Sequence, residues 1–260
     1  MVCYTSRMDA STIGYVSYRY HRICNPFSFG QLERTLAFTD LKEGDKAVDL
    51  GCGNAVVSVW MAERYGLELT GVERFGPVAD QARAEAAKPH ARGSVTIVEG
   101  QAREHLATAG QHRVVSVIGA VDLFEDLKRP AEVMAALVPA IAPGGWLLWG
   151  DPFWKKPPSE TLAAVFGAER YASLAGWLEA GEAAGLSPRY TAISTDADWE
   201  EYLWRMNASV EDWVAENADS PAAPMLKMRA AMLRRLHVNE GHESLGFGLY
   251  LFRRPPLQAT

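Results

Sequence analysis

A chain of 260 residues with 48% hydrophobic content has room for one substantial core, and a second full domain fits poorly beside it. Its formal net charge of -6 disfavours nucleic acid, because such binding draws most of its affinity from clustered Lys and Arg, so a small or neutral substrate fits better. Cys3, Cys24 and Cys52 show neither CxxC nor His-adjacent spacing, which argues against a disulfide framework and a metal site.

Residues 1–44 are expected to form an N-terminal helical cap, and Met1–Ser17 within them lacks the uninterrupted apolar core of a signal peptide. From Lys46 to Trp149, short aliphatic runs alternate with Ala- and charge-rich stretches of helical length. The expected strands are Lys46–Leu50, Glu68–Val72, Ser94–Val98, Arg113–Ile118 and Gly145–Trp149. The expected helices are Ala55–Tyr65, Pro77–Ala87 and Arg129–Ile141, with Pro77 and Pro130 in first turns that tolerate proline. Repeated strand-helix units predict an α/β fold with a doubly wound, mostly parallel sheet and a ligand-binding core over 45–150.

Beyond Asp151, a turn at Pro157 and Pro158 leads to a helix over Tyr171–Ala184 and a strand over Arg189–Ser194. A helical insertion over 195–240 follows, in which Tyr202, Leu203, Met206, Val210, Trp213 and Val214 recur at helical spacing behind the capping candidates Thr195, Asp196 and Asp198. Pro221 and Pro224 separate this helix from a second one ending near His237, and Leu245–Phe252 reads as a final strand. Residues 1–260 are read as a single domain. No apolar run approaches the roughly 18 residues of a membrane span, and the expected location is the cytoplasm.

The segment Val48-Asp49-Leu50-Gly51-Cys52-Gly53-Asn54-Ala55 carries a strand through a glycine turn into a helix. Gly51 and Gly53 let the backbone turn tightly and approach a ligand with no Cβ in the way, at the strand end where open α/β sheets bind ligands. The spacing falls short of the dinucleotide fingerprint GxGxxG, because Val56 stands at its last position. Glu73 ends the second strand roughly 20 residues on, where a carboxylate accepts from both hydroxyls of a ribose.

Val48–Ala55 followed by Glu73 resembles motifs I and II of class I, Rossmann-like S-adenosylmethionine-dependent methyltransferases. The resemblance covers most of the chain and implies a seven-stranded sheet with N-terminal helices and a helical insertion before the last strand. Carried over by position, Asp49, Gly51 and Gly53 cradle the methionine part of the cofactor, Glu73 holds the ribose, and Gln101 with Ala102 flanks the adenine, with Cys52 and Arg74 as further cofactor-binding candidates. Gly119 and Ala120, leading into Val121 and Asp122, are expected beneath the cofactor and open towards the substrate. The pattern departs from the family at Ala55, where a third glycine is usual, and at Gln101, where Asp is frequent. His21-Arg22-Ile23-Cys24-Asn25-Pro26-Phe27, Gly150-Asp151-Pro152-Phe153-Trp154 and Leu245-Gly246-Phe247-Gly248-Leu249-Tyr250 further resemble a bacterial branch of small class I methyltransferases whose substrates are largely unassigned.

The implied activity is transfer of a methyl group from S-adenosylmethionine to a small-molecule acceptor by in-line displacement, in which alignment and exclusion of water do much of the work. Seven of the eight tryptophans lie after residue 145, and Trp154, Trp199, Tyr202, Trp204 and Phe247 are candidates to wall the substrate, with Arg22 as a clamp. The same stripe also serves to pack an insertion onto a sheet. His21 and His242 are candidate bases, Glu243 another clamp, and Asp151 a candidate for orienting the substrate. Asp151-Pro152-Phe153-Trp154 differs from the Asp/Asn-Pro-Pro-aromatic loop of amino-methyltransferases, because that loop follows the fourth strand and this segment follows the fifth. No metal, nucleic-acid or membrane partner is expected, and the assembly is a monomer or homodimer. A macromolecular acceptor and a non-catalytic S-adenosylmethionine-binding protein are the alternative readings.

Overall fold

A computed structural model describes residues 10–120, 123–124, 126–127 and 129–257; Val121 and Asp122 fall outside them, as do the first nine residues of the expected N-terminal cap. Helices α1 (Ala10–Ser17) and α2 (Phe29–Leu36) precede the sheet. The Ser28 side chain accepts from the Gln31 amide while the Gln31 side chain takes the Ser28 N–H, a reciprocal arrangement that satisfies two otherwise orphaned donors. Gln31 then reaches across the fold, its Nε2 donating to the Ile193 carbonyl at 3.1 Å and to Asp198 at 2.9 Å.

The core alternates β1 (Lys46–Leu50), α3 (Val56–Tyr65), β2 (Glu68–Glu73), α4 (Gly76–Ala86), β3 (Ser94–Glu99), α5 (Ala102–Leu106), β4 (His112–Ile118), α6 (Pro130–Leu137) and β5 (Ile141–Trp154). After it come α7 (Glu160–Phe166), α8 (Leu174–Ala183), β6 (Ser187–Ile193), α9 (Asp196–Glu216), α10 (Ala223–Leu236) and β7 (Leu245–Arg253). Among the described residues, one seven-stranded sheet has the order β3-β2-β1-β4-β5-β7-β6, with β7 antiparallel to both its neighbours. The expected doubly wound architecture is the one observed.

Both faces of the sheet are covered, and the strand period shows it. On β5, Leu147 and Trp149 point into one core with Trp177, Tyr250 and Phe252, while Trp146 and Leu148 point into the other with Leu32, Leu36 and Phe247. Strand order reverses between β1 and β4, which opens a crevice at their carboxyl ends.

Several boundaries differ from expectation for identifiable reasons. Ala55 stands before α3 rather than in it, because it adopts the left-handed conformation at φ 59°. The expected helix over Arg129–Ile141 stops at Leu137, and a 3-10 turn over Val138–Ala140 hands the chain to β5. The last strand of the core continues to Trp154, five residues past the expected end, so Asp151-Pro152-Phe153-Trp154 lies in the sheet rather than after it. Pro152 is tolerated there because β4 pairs with β5 only as far as Gly150, and from that point the neighbour is β7, with Pro152 opposite Phe247. Thr195 caps α9 as expected, accepting from the Asp198 amide in a second reciprocal box.

The glycines of β7 make room for rings. A Cβ on Gly246 would lie 2.3 Å from Cζ of Phe153. Gly246→Ala is therefore expected to overpack the sheet and lower unfolding free energy by about 1–3 kcal/mol in a urea titration. A change below about 0.5 kcal/mol would show that the ring moves aside freely.

Candidate functional site

Gly51 and Gly53 both take positive φ, at 75° and 57°, and turn the chain sharply at the end of β1. The turn is tied to the next strand, with the Gly51 and Cys52 amides donating to the Val72 carbonyl at 2.8 and 3.1 Å. Glu73 closes the frame: its carboxylate accepts the Gly53 N–H at 3.1 Å and the Phe75 N–H at 3.0 Å. Each oxygen keeps lone-pair capacity for a ligand hydroxyl, and Glu73 lines the adjoining cleft. A Cβ on Gly53 or Gly100 would meet no atom within 4 Å, so at both positions the place of a side chain is open space in the cleft wall.

That cleft has a volume of about 380 Å³, within the range of small-molecule sites. Of the residues expected to hold the cofactor, Gly51, Gly53, Glu73, Arg74, Gln101, Ala102 and Gly119 line it together. Asp49 and Cys52 stand behind the loop. Asp49 is buried and accepts from Ser58 Oγ at 2.6 Å; burial raises its pKa, and the Ser58 bond opposes that rise. The Cys52 thiol is likewise pushed up by burial.

The opposite wall was not assigned from sequence. Tyr18, Cys24 and Asn25 come from the N-terminal segment and Arg170 from the connection between α7 and α8. Asn54 clasps that segment, its Nδ2 donating to the carbonyls of His21 at 3.4 Å and Arg22 at 3.3 Å. The Asn25 amide lies so close to Gly119 that a Cβ there would be 2.2 Å from its Oδ1. The signal in the sequence was an Asn within the glycine turn, whose partners are about 30 residues upstream and invisible to local spacing. Burial pushes the Cys24 thiol up to about 12, so it stays protonated at neutral pH.

The residues expected to handle substrate and protons lie elsewhere. Trp154 is packed among Leu162, Leu236 and Leu245, with its Nε1 on the Ala168 carbonyl at 3.0 Å. Phe247 is buried and stacked on Phe27, with ring centroids 5.9 Å apart. Trp199 joins the same cores, and Trp204 is exposed with its Nε1 on Glu200 at 2.6 Å. Tyr202 touches the cleft only indirectly, through a 3.1 Å contact between its hydroxyl and that of Tyr18. His21 and Arg22 line a separate groove with Tyr202; His21 Nε2 sits 2.8 Å from the Tyr202 carbonyl, and Arg22 stacks on Phe29. His242 is far more exposed and contacts the His237 carbonyl through Nδ1 at 3.1 Å, and Glu243 pairs with Lys156 at 2.8 Å. Asp151 is buried beside Tyr250, whose phenol is pushed up by burial and by that carboxylate. No residue of the insertion over 195–240 is among the described residues that line the cleft. The insertion instead braces the N-terminal wall, with Val16 of α1 packed against Val210, Leu226 and Ala230.

Residues 15–202 match the family model for a methyltransferase domain. The chain belongs to that methyltransferase family. The fold agrees: the crystal structure of an S-adenosylmethionine-dependent methyltransferase from Geobacter sulfurreducens, in complex with S-adenosyl-L-homocysteine, superposes with a TM-score of 0.81 at 23% identity, covering 93% of this chain and 97% of that one. Escherichia coli YjhP is 24% identical over 94% of this chain and 98% of its own length. The ubiquinone biosynthesis O-methyltransferase of Leptothrix cholodnii is 30% identical over 57% of this chain, which spans 59% of that enzyme. The methyltransferase class is the one that the glycine turn and Glu73 led us to expect, and the small bacterial relatives are those expected from the segments His21–Phe27, Gly150–Trp154 and Leu245–Tyr250. No helix among the described residues is long and apolar enough to cross a membrane.

Burial lowers the pKa of His21, His105 and His112 below the ordinary imidazole value, so the fold favours their neutral forms. The unfolded chain takes up protons as pH falls below about 6.5, whereas the folded chain does so only at lower pH. Their contribution is complete above about pH 6.5 and is lost on acidification below it, towards the lowered folded values. Asp49, with a raised pKa, contributes with the opposite sign, from the ordinary carboxylate value upward. We expect the urea midpoint to be lower at pH 5.5 than at pH 7.5, and the difference to shrink in His112→Phe. A difference of unchanged size in His112→Phe would contradict the assignment of a neutral buried imidazole at that position.

Proposed function

We propose that this chain transfers a methyl group from S-adenosylmethionine to a small-molecule acceptor held in the 380 Å³ cleft. The observation that carries the reading is Glu73, set by two backbone amides beside a glycine turn whose open face lines that cleft. Glu73 accepts from the ribose hydroxyls, Gln101 and Ala102 flank the adenine, and Gly51 and Gly53 let the methionine part approach the backbone. When bound, the donor supplies an electrophilic methyl on a positively charged sulfur. The protein's part is to hold and shield it: the N-terminal segment, clasped by Asn54, covers the cleft and limits water, and Asn25 beside Gly119 fixes the floor.

A cleft of this size, in a chain of net charge -6, suits a small acceptor better than a polymer. The Leptothrix relative, named for methylation in ubiquinone biosynthesis, supports the same class of acceptor. The test is methyl transfer from labelled S-adenosylmethionine into fractionated bacterial metabolites, with mass identification of the product. Label appearing in a small molecule is expected. Label confined to protein or RNA would overturn the acceptor class, and tight donor binding without transfer to any fraction would point to a non-catalytic binder.

A further inference from the structure

Residues 21–25 are held against the glycine turn from both ends. Asn54, within the turn, donates to the His21 and Arg22 carbonyls. On the far side Ser194 Oγ donates to the Pro26 carbonyl, and the Phe27 N–H donates to the Asn25 carbonyl at 2.9 Å. Cys24 and Asn25 are thereby fixed in the wall of the cleft, next to the ends of β1 and β4. Those two strand ends close on one another: a Cβ on Gly51 would lie 2.8 Å from that of Ala120. Gly119 is pinned in turn, its N–H on the Gly150 carbonyl at 2.7 Å.

The Asn25 carboxamide lies on this fixed floor, where a Cβ on Gly119 would be 2.8 Å from its Nδ2 and closer still to its Oδ1. The side chain is half-buried, and among the described residues none hydrogen-bonds its amide. Other polar groups of the cleft are already engaged: the Tyr18 hydroxyl meets that of Tyr202 at 3.1 Å, and Arg74 and Arg170 each interact with other residues. A half-buried amide held in place without a partner costs desolvation that a ligand can recover.

Resting on the methyl-donor reading above, we propose that Asn25 is a donor-specificity residue, whose carboxamide binds the zwitterionic amino-acid tail of S-adenosylmethionine and so selects it over nucleoside thioethers that lack the tail. That reading lays the methionine part against the glycine turn, beside which Asn25 is clasped. The tail carries an ammonium and a carboxylate. A carboxamide answers both, because its oxygen accepts from the ammonium and its N–H donates to the carboxylate, and having no net charge it repels neither. Because the backbone on either side is already tied, little ordering is left for the ligand to impose. The nucleoside half is held separately, by Glu73 and Gln101.

The experiment titrates the full chain calorimetrically with S-adenosylhomocysteine and with methylthioadenosine, which keeps the adenine, the ribose and the sulfur and lacks the tail. Wild type is expected to bind both, the homocysteine compound about tenfold or more tightly. Asn25→Ala and Asn25→Leu, the second keeping the branched shape without the polar atoms, each weaken S-adenosylhomocysteine by about tenfold. Methylthioadenosine stays within about twofold of wild type in both variants, which also shows that they fold. Unchanged affinity for S-adenosylhomocysteine in either variant overturns the proposal. An equal loss of both ligands also overturns it, because Asn25 then shapes the wall or touches the nucleoside. Wild-type chain that binds the two ligands equally, or binds S-adenosylhomocysteine and not methylthioadenosine at millimolar concentration, contradicts the division between a nucleoside half and a tail half on which the proposal stands. If the wild-type chain binds neither, the methyl-donor reading itself falls, and the role of Asn25 falls with it.

Discussion

Glu73→Ala is expected to weaken binding of S-adenosylhomocysteine by about 100-fold, with the unfolding midpoint little changed. On the proposed reading the carboxylate accepts two ribose hydroxyls, and each hydrogen bond to a charged group is worth about 1.5–3 kcal/mol. Losing two at the lower end of that range already amounts to about 3 kcal/mol, or about two decades in affinity. The Gly53 and Phe75 amides would also lose their acceptor, but both belong to the residues lining the cleft and water there can replace it. Glu73→Gln keeps one oxygen acceptor and should fall between the two, whereas equal affinities for all three proteins, measured by calorimetry, would remove Glu73 from the site.

Trp177→Ala should cost about 3–5 kcal/mol of unfolding free energy, the largest stability loss we expect from a single substitution. The indole is buried, lies 5.2 Å from Trp149 between ring centroids, and donates through Nε1 to the Pro152 carbonyl at 2.9 Å. It thereby fastens α8 to the part of β5 that has run past the end of β4. Trp177→Phe retains most of the packing and loses the hydrogen bond, for about 1–2 kcal/mol. A loss below about 1 kcal/mol for the alanine variant in a denaturant titration would mean that the two-tryptophan contact contributes little.

The same two residues mark what could and could not be read from the sequence. Glu73, Gly51 and Gly53 were legible because their chemistry is local: a strand, a turn and a carboxylate at fixed spacing leave few other arrangements. Pro152 misled, since a residue without an N–H argues against a strand, and only the register of β7 shows that β5 is already free of β4 at that point. The late tryptophans misled in another way. An aromatic stripe has the same pattern whether it walls a ligand or fills a core, and Trp154 and Phe247 took the second role. The wall that does face the cleft, from Tyr18, Asn25 and Arg170, is assembled from segments some 150 residues apart, with nothing in local periodicity to join them.

Ala55 shows how far the turn departs from the usual glycine pattern without losing its shape. It keeps a left-handed conformation that costs a residue with a Cβ about 1 kcal/mol, and its methyl is buried. The strain sits at the entry to α3, away from the open faces of Gly53 and Gly100. The turn can therefore tolerate a methyl group at this position and still present bare backbone to a ligand.

The most direct measurement is calorimetric titration of the purified chain with S-adenosylhomocysteine alongside NAD. Saturable binding of the nucleoside thioether at one site per chain, with no heat from the dinucleotide, is the result this account requires. Binding of NAD alone, or of neither compound, would mean that the glycine bend and its carboxylate serve something other than a methyl donor.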